Sequence, residues 1–145
     1  MVGSGGGCSV VSPAKVTAVT DWSPDHVRAL IPSVQASPWG PLEGPGDVLG
    51  GSFLFEFTQG GAHALLAVRP VQLQLGVRLD VVGLVSTGDR MQSGAIDAAA
   101  CDIARQLGAQ QLAMCTQRNH VAQQCARHGW TETGVVMTKG LYVQQ

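Results

Sequence analysis

The chain has 145 residues, of which 45% are hydrophobic and 13% are charged. This composition is typical of one domain with one buried core and not of a disordered chain. The formal net charge of -1 excludes an overall basic field for binding nucleic acid or an anionic membrane, although a local basic patch stays open. No apolar run reaches the roughly 20 residues that a membrane-spanning helix needs.

The N-terminus is rich in glycine and lacks the basic start and apolar middle of a signal peptide. We therefore expect residues 1–14 to be a flexible lead and residues 15–145 to form a single domain. The default compartment for such a chain is the cytoplasm.

The cysteines form no CxxC pair, and their spacing fits no common zinc module. Cys125 and His128 could share a helix face, but a tetrahedral zinc site takes four ligands, and the sequence supplies no such set. We expect no metal, and reduced thiols at the four cysteines, which are Cys8, Cys101, Cys115 and Cys125.

The first elements are a strand and a helix. Lys15–Thr20 is rich in β-formers and predicts a strand. The Ser-Pro-Asp run at residues 23–25 is typical of a helix start, and apolar residues follow it at the spacing of one buried helical face. We expect this helix to stop before Pro38, with Pro32 kinking it or ending it earlier. Ser37–Gly51, dense in proline and glycine, predicts a long loop that is either a substrate lip or a mobile connector.

Three strands with short turns then predict an antiparallel meander. The first has phenylalanines at alternate positions, which indicates a half-buried strand. The second contains Pro70, which implies an edge position or a bulge. The third is apolar enough to lie inside the sheet. The three predicted strands are Phe53–Thr58, His63–Leu75 and Val77–Ser86.

The hydrophobic period changes after the meander. The order becomes helix, strand, helix and one or two final strands, so the chain is predicted to be an α/β protein with a mixed sheet, antiparallel first and with helical crossovers later. Gly108 and Gly129 are predicted to end the two helices. The predicted elements are a helix over Ser93–Leu107, a strand over Gln111–Thr116, a helix over Asn119–His128 and the final strands within Trp130–Tyr142.

The join between the third meander strand and the next helix, Val85–Ala95, predicts an anion site. Small residues let a backbone approach a ligand, and the helix start offers free N–H groups and a partial positive charge. Both features suit a phosphate or pyrophosphate. Arg90 would add a charge-assisted contact.

This join resembles the signature of the GNAT acyltransferases, Arg/Gln-x-x-Gly-x-Gly/Ala after a strand that ends in valine. Arg90 and Ala95 match the pattern, and Ser93 stands where the family usually has glycine. The resemblance continues through the helix opened by Asn119, which closes on Gly129-Trp130 where the family usually has Gly-Phe. It covers about Val77 to Leu141 and implies the acyl-CoA N-acyltransferase fold.

The resemblance also implies a cofactor site. Acyl-CoA would lie between the strands Val77–Ser86 and Gln111–Thr116, with its pantetheine arm paired to the first of them. No covalent attachment and no metal are implied. The residues expected to contact the cofactor are Leu84, Val85, Arg90, Met91, Gln92, Ser93, Gly94, Ala95 and Asn119.

Catalytic residues are implied less directly. Many family members have a tyrosine as general acid four residues before the helix-ending glycine, and the residue here is Cys125. Its thiol is either a proton donor or a small packing residue. The general base would be Asp80, Glu56 or a bound water. Asp80 sits among apolar residues, where burial would make its carboxylate a stronger base, although it could instead face solvent. The remaining proton-transfer candidates, His63, His120 and His128, are expected to be surface or loop residues.

The resemblance implies transfer of an acyl group from acetyl-CoA, or another acyl-CoA, to an amine acceptor that is a small molecule or a protein. The alternative is a GNAT-fold protein without catalysis, with a structural or interaction role, which the replacements at Ser93 and Cys125 favour. The compact chain also resembles acetyltransferase-like proteins of bacteriophage origin. A third reading is modification of a macromolecule, and the low net charge argues against nucleic acid as that target. The sequence does not decide whether the chain forms a homodimer. No membrane partner is expected.

Overall fold

The computed structural model describes residues 13–39, 42–89 and 91–141. Residues 1–12 of the predicted lead and Tyr142 lie outside the described residues. The elements in chain order are β1 Lys15–Val19, α1 Pro24–Gln35, α2 Pro45–Leu49, β2 Phe53–Gln59, β3 Ala62–Leu73, β4 Gly76–Gly88, α3 Ser93–Gln106, β5 Gln111–Met114 and α4 Asn119–Arg127.

The described strands form one five-stranded sheet in the order β1-β2-β3-β4-β5. Neighbours are antiparallel from β1 to β4, whereas β4 and β5 are parallel. The helix α3 makes the crossover that this parallel pair requires. The predicted α/β class, the meander and the later crossover are confirmed.

The helix α1 begins and continues as the local sequence dictates. The hydroxyl of Ser23 accepts a hydrogen bond from the His26 N–H at 3.2 Å, which caps the first turn. The helix does not end early at Pro32 but runs on to Gln35. Its buried side chains Leu30 and Val34 lie on either side of Pro32 in the chain, so packing on the sheet holds the turn that proline weakens.

The long loop predicted over Ser37–Gly51 is interrupted by a helix. Pro45–Leu49 forms α2, and Val48 and Leu49 are buried against the sheet. The Asp47 carboxylate accepts a hydrogen bond from the Gly44 N–H at 3.0 Å. The loop prediction is therefore wrong for this stretch, because tertiary burial of two apolar residues stabilises a single helical turn.

Helices cover both faces of the sheet. On one face α1 and α2 pack on Leu54, Leu65 and Ala67. On the other face α3 packs on a core that includes Phe57 and Leu66, which we call the α3-side core. The expectation of a half-buried β2 is wrong, because Leu54 and Phe57 point to opposite faces and are 1% and 0% exposed.

A glycine lies where α1 and α2 pack on β4. A Cβ atom on Gly83 would lie 3.2 Å from Leu30 Cδ2, 3.3 Å from Leu49 Cδ2 and 3.4 Å from the Ala67 Cβ. A glycine inside a strand often marks such a close approach. Gly83 therefore lets both helices lie close to the strand that borders the site.

The pairing of β3 and β4 changes register at one point. Ala67 pairs with Gly83 and Val68 with Val81, so Val82 has no partner on β3 and forms a bulge. Pro70 lies beyond Val68, the last β3 residue paired with β2. The proline thus lies at an edge of the sheet, as predicted.

The end of the described chain departs from the prediction. β5 stops at Met114 rather than Thr116, and no strand forms within residues 130–141. Val135 and Met137 are 79% and 88% exposed. The prediction of one or two final strands is wrong here, because β-propensity without a neighbouring strand or a buried face does not hold a strand in place.

Candidate functional site: a gap between two parallel strands

Strands β4 and β5 differ in length, which opens a gap in the sheet. They pair from Arg78 opposite Gln111 to Val81 opposite Met114. β5 then ends, whereas β4 continues to Gly88. Beyond Val81, the edge of β4 that faces β5 has no strand partner among the described residues, so its backbone groups are open to other partners.

The N–H of Leu84 is a backbone donor at this gap whose hydrogen-bond partner the structure shows. It donates to the hydroxyl of Ser33 on α1 at 3.0 Å. Successive N–H groups of a strand point to opposite edges, so the N–H of Val85 points towards its partner Leu65 on β3. Of the two sequence-predicted strand contacts, Leu84 therefore has its N–H on the gap side, and Val85 does not.

A cavity of about 520 Å³ opens on the face covered by α1 and α2. The segment after α1 forms part of its rim through Ser37, Trp39 and Glu43, so this segment lines a cavity, as a substrate lip would. Its other walls come from β3, β4 and the segment after β5. The helix α1 and the strand β5 also contribute. The polar and charged residues outside the rim are Ser33, Arg69, Arg78, Asp80, Gln111, Thr116, Arg118 and Thr133.

Asp80 lines this cavity but is not buried among apolar groups as first expected. Leu79 and Val81 point into the α3-side core, and alternation along β4 turns Asp80 the other way, with 24% of its side chain exposed. Arg78 donates to both carboxylate oxygens, at 2.6 and 3.2 Å. This hydrogen bond, together with the negative charge of Asp80, raises the pKa of Arg78 above its ordinary value. The two hydrogen bonds therefore hold the carboxylate in one orientation.

The other charged groups of the cavity have different partners. Arg69 donates to the carbonyls of Val48 and Gly50 at 3.1 and 3.0 Å, which fixes the end of α2. Glu43 accepts a hydrogen bond from the Ser37 hydroxyl. Arg118 has its Nε buried, and that atom has no hydrogen-bond partner among the described residues.

A smaller cavity of about 100 Å³ lies on the opposite face of the sheet, between α3, α4 and the strands. Cys125 and Trp130 are among its lining residues. Val81, Leu84 and Met114 line both cavities. These three side chains therefore border the gap, and Asp80 and Cys125 lie on opposite sides of it.

The Cys125 thiol is partly buried beside an acidic residue. Burial raises the pKa of Cys125, and the negative charge of Asp97 raises it further. Asp97 in turn accepts a hydrogen bond from the Trp130 indole N–H at 2.8 Å. The thiol therefore keeps its proton at neutral pH, as a proton donor or a packing residue would.

The phosphate contacts predicted at the start of α3 are of two kinds: residues that pack in the core and residues whose backbone N–H groups are free to bind an anion. Met91 and Ala95 are 3% and 2% exposed and belong to the α3-side core, so their side chains serve packing. The N–H of Ala95 also donates to the Gln92 carbonyl at 3.1 Å. Gln92 itself is exposed and is the N-cap residue of α3.

Ser93 and Gly94 retain the features that an anion would use. Neither N–H has an acceptor among the described residues, which is usual in the first turn of a helix. The Ser93 hydroxyl lies 3.0 Å from Nε2 of His128, so the start of α3 contacts the end of α4. Arg90 lies outside the described residues.

The remaining candidates lie away from the gap. Asn119 is the exposed first residue of α4 and lines neither cavity, and His120 beside it is also exposed. Glu56, the other base candidate, contacts His63 at 2.7 Å between Oε2 and Nε2. Neither Glu56 nor His63 lines either cavity.

Several residues of the larger cavity were missed from the sequence. They lie far apart in the chain, and no motif spacing connects them. A lip was one of the two interpretations of the proline- and glycine-rich segment, and the sequence did not identify which of its residues line the cavity. The missed residues are Ser33, Trp39, Glu43, Arg69, Arg78 and Arg118.

The described residues contain neither a candidate membrane span nor a metal-binding cluster. No helix there has both the length and the apolar character to cross a membrane. No group of three or more His, Cys, Asp or Glu side chains within those ranges could hold a metal ion.

Solved structures share this fold at low sequence identity. A probable acetyltransferase has a TM-score of 0.53 and 16% identity, covering 90% of this chain and 99% of that one. A transcriptional regulator from Bacillus halodurans has a TM-score of 0.52 and 12% identity, covering 87% and 99%. A protein from Thermus thermophilus, crystallised as a point mutant, has a TM-score of 0.50 and 13% identity, covering 90% and 99%.

No protein-family model and no curated protein matches the chain. The resemblance to bacteriophage proteins is not borne out by these comparisons. The likeness to solved structures establishes the architecture but not the activity. The chain therefore has a GNAT-like fold.

Proposed function

We propose that the protein transfers an acyl group from acyl-CoA, most simply acetyl-CoA, to an amine. The observation that carries this proposal is the gap between β4 and β5, which opens to a cavity on each face of the sheet. A ligand in the gap would reach both cavities. Acyl-CoA, when bound, supplies an acyl group activated as a thioester.

The residues that fit such a ligand lie along the gap and at the start of α3. The Leu84 N–H, now bonded to Ser33, is placed to donate to a carbonyl oxygen. The N–H groups of Ser93 and Gly94 fit a phosphate at a helix N-terminus. Arg90 and Asn119 stay sequence-based proposals for the same ligand.

The larger cavity suits the amine. Asp80 would accept the proton that the amine nitrogen loses, and Arg78 would hold the carboxylate in position for that transfer. Cys125, on the other side of the gap, would donate a proton to the leaving thiolate. Its raised pKa keeps that proton available at neutral pH.

We expect Cys125→Ala to lower kcat about 100-fold while acetyl-CoA binding is retained, because a general acid typically contributes that much. The rate is measured as acetylated product by mass spectrometry, which protein thiols do not disturb. Cys101→Ala is the matched control, since Cys101 is also partly buried with its pKa raised by burial but lines neither cavity. Equal rates in the two variants would reduce Cys125 to a packing residue.

A second candidate function is a non-catalytic, partner-binding protein with the same fold. It is favoured by Cys125 at the position of the family's usual tyrosine and by Ser93 at that of a glycine. Incubating the protein with acetyl-CoA and a panel of small amines separates the two. An acetylated product supports acyl transfer. The non-catalytic function is supported if acetyl-CoA binds but neither the added amines nor a co-purifying protein becomes acetylated.

A further inference from the structure

We infer that the amine acceptor also carries an anionic group, a carboxylate or a phosphate, which Arg118 holds in the larger cavity. This inference rests on the proposed function, because it names the substrate class of the same site. The evidence for it is the set of charged side chains on the cavity walls, together with the hydrogen-bond partners that each of them has or lacks.

Arg118 is the N-cap residue of α4 and lines the cavity. Its Nε is buried and has no hydrogen-bond partner among the described residues. Buried donors almost always have a partner in a folded protein. An arginine that lines a cavity and has a buried Nε without a partner therefore fits an acceptor that arrives with the ligand.

The other two arginines of the cavity are already engaged. Arg78 is paired with Asp80 through two hydrogen bonds. Arg69 donates to the carbonyls of Val48 and Gly50. Among the described residues, Arg118 is thus the cavity arginine whose buried Nε lacks a partner, and a guanidinium binds carboxylate and phosphate oxygens in a planar, two-pronged geometry.

The same cavity carries negative charge for the amine. Asp80 and Glu43 both line it, and either carboxylate suits an ammonium or amine nitrogen. A cavity of about 520 Å³ is in the size range of small-molecule sites. Charges of both signs in one such cavity fit a small zwitterion better than a neutral or purely cationic amine.

The anion site is tested first by NMR on the wild-type protein. The Nε–H resonance of Arg118 is identified by its loss in Arg118→Lys. It should shift on addition of γ-aminobutyrate or O-phosphoethanolamine, and not on addition of n-butylamine, ethanolamine or sodium chloride at equal ionic strength. The Arg105 resonance, from an exposed ion pair on α3, is the internal control. Equal response to all additions, or none, would overturn the inference.

Substrate preference is tested next with two matched pairs of amines, γ-aminobutyrate against n-butylamine and O-phosphoethanolamine against ethanolamine. The wild type should use γ-aminobutyrate with a kcat/KM at least about tenfold above that for n-butylamine, since a charged hydrogen bond contributes at least this much. Arg118→Gln should bring the ratio near one, Arg118→Lys should restore part of it, and Arg105→Gln should leave it unchanged. A larger gain with O-phosphoethanolamine over ethanolamine would identify the anion as phosphate.

The two proposals fail in different ways. Equal use by the wild type of amines with and without an anionic group would overturn the anion inference and leave acyl transfer standing. No transfer to any of the four amines, with the NMR shift of Arg118 present, would contradict acyl transfer to small amines and support the anion site.

Discussion

Replacing Phe57 with alanine is expected to lower the free energy of unfolding by about 3–5 kcal/mol. Phe57 is 0% exposed and belongs to the α3-side core, where it is the largest fully buried side chain of the described residues. Its removal loses transfer free energy and leaves a cavity that close-packed neighbours cannot fill. Urea denaturation followed by circular dichroism measures the change.

Phe53→Ala is the matched control for this result. Phe53 lies on the same strand and points to the same face but is 51% exposed. Its replacement should lower the free energy of unfolding by less than about 1 kcal/mol. Similar losses in the two variants would mean that β2 does not occupy the register described here.

Changing Asp80 to asparagine is expected to lower kcat by at least about 100-fold, because the amide keeps the shape of the side chain but cannot accept a proton. The variant should still fold, since the Asp80 side chain lies at the wall of a cavity and not in a core. Steady-state kinetics with acetyl-CoA and an accepted amine measure the loss.

The role of Asp80 as a base has a second signature in the pH profile. As pH rises, more of the amine is already deprotonated, so the ratio of wild-type to Asp80→Asn rates should fall. Asp102→Asn is the control, because Asp102 forms a comparable arginine pair on the exposed face of α3. A constant ratio across pH, or a wild-type rate in Asp80→Asn, would assign the base elsewhere in the cavity.

The sequence predicted best those parts of the fold that are set by capping residues and helix-ending glycines. The Ser-Pro-Asp start of α1 and the glycines after α3 and α4 set three helix boundaries within a residue or two. Gly108 and Gly129 have φ of +75° and +89°, the left-handed conformation that ends a helix. Such signals act through backbone geometry and do not depend on distant contacts.

The failures occurred where distant contacts decide the structure. α2 is five residues long and contains proline and glycine, so its own propensity is poor, and the burial of Val48 and Leu49 stabilises it. Val135 and Val136 favour a strand locally, yet no described strand lies beside them. In both segments tertiary packing, or its absence, outweighs propensity.

The sequence could identify candidate site residues on β4, but it could identify few of the residues that line the cavity from other elements. Leu84 and Asp80 could be placed because they lie on one strand beside the recognisable join to α3. The pairing of Asp80 with Arg78 follows from the two-residue period of a strand, although it was not predicted. Arg118 and Ser33 reach the cavity only through the packing of their helices, and no spacing in the sequence shows that.

The most direct test of the central claim is thermal unfolding with and without acetyl-CoA. Ligand at about 100 times its dissociation constant should stabilise the protein by roughly 2.7 kcal/mol, a rise in the unfolding midpoint of about 9 °C for a chain of this length. Ser93→Asp should abolish the shift, because an acid in the first turn of α3 repels phosphate while favouring the helix. Ala98→Asp adds the same charge at an exposed position of α3 and should retain the shift. No shift in the wild type at saturating acetyl-CoA would contradict an acyl-CoA site in the gap between β4 and β5.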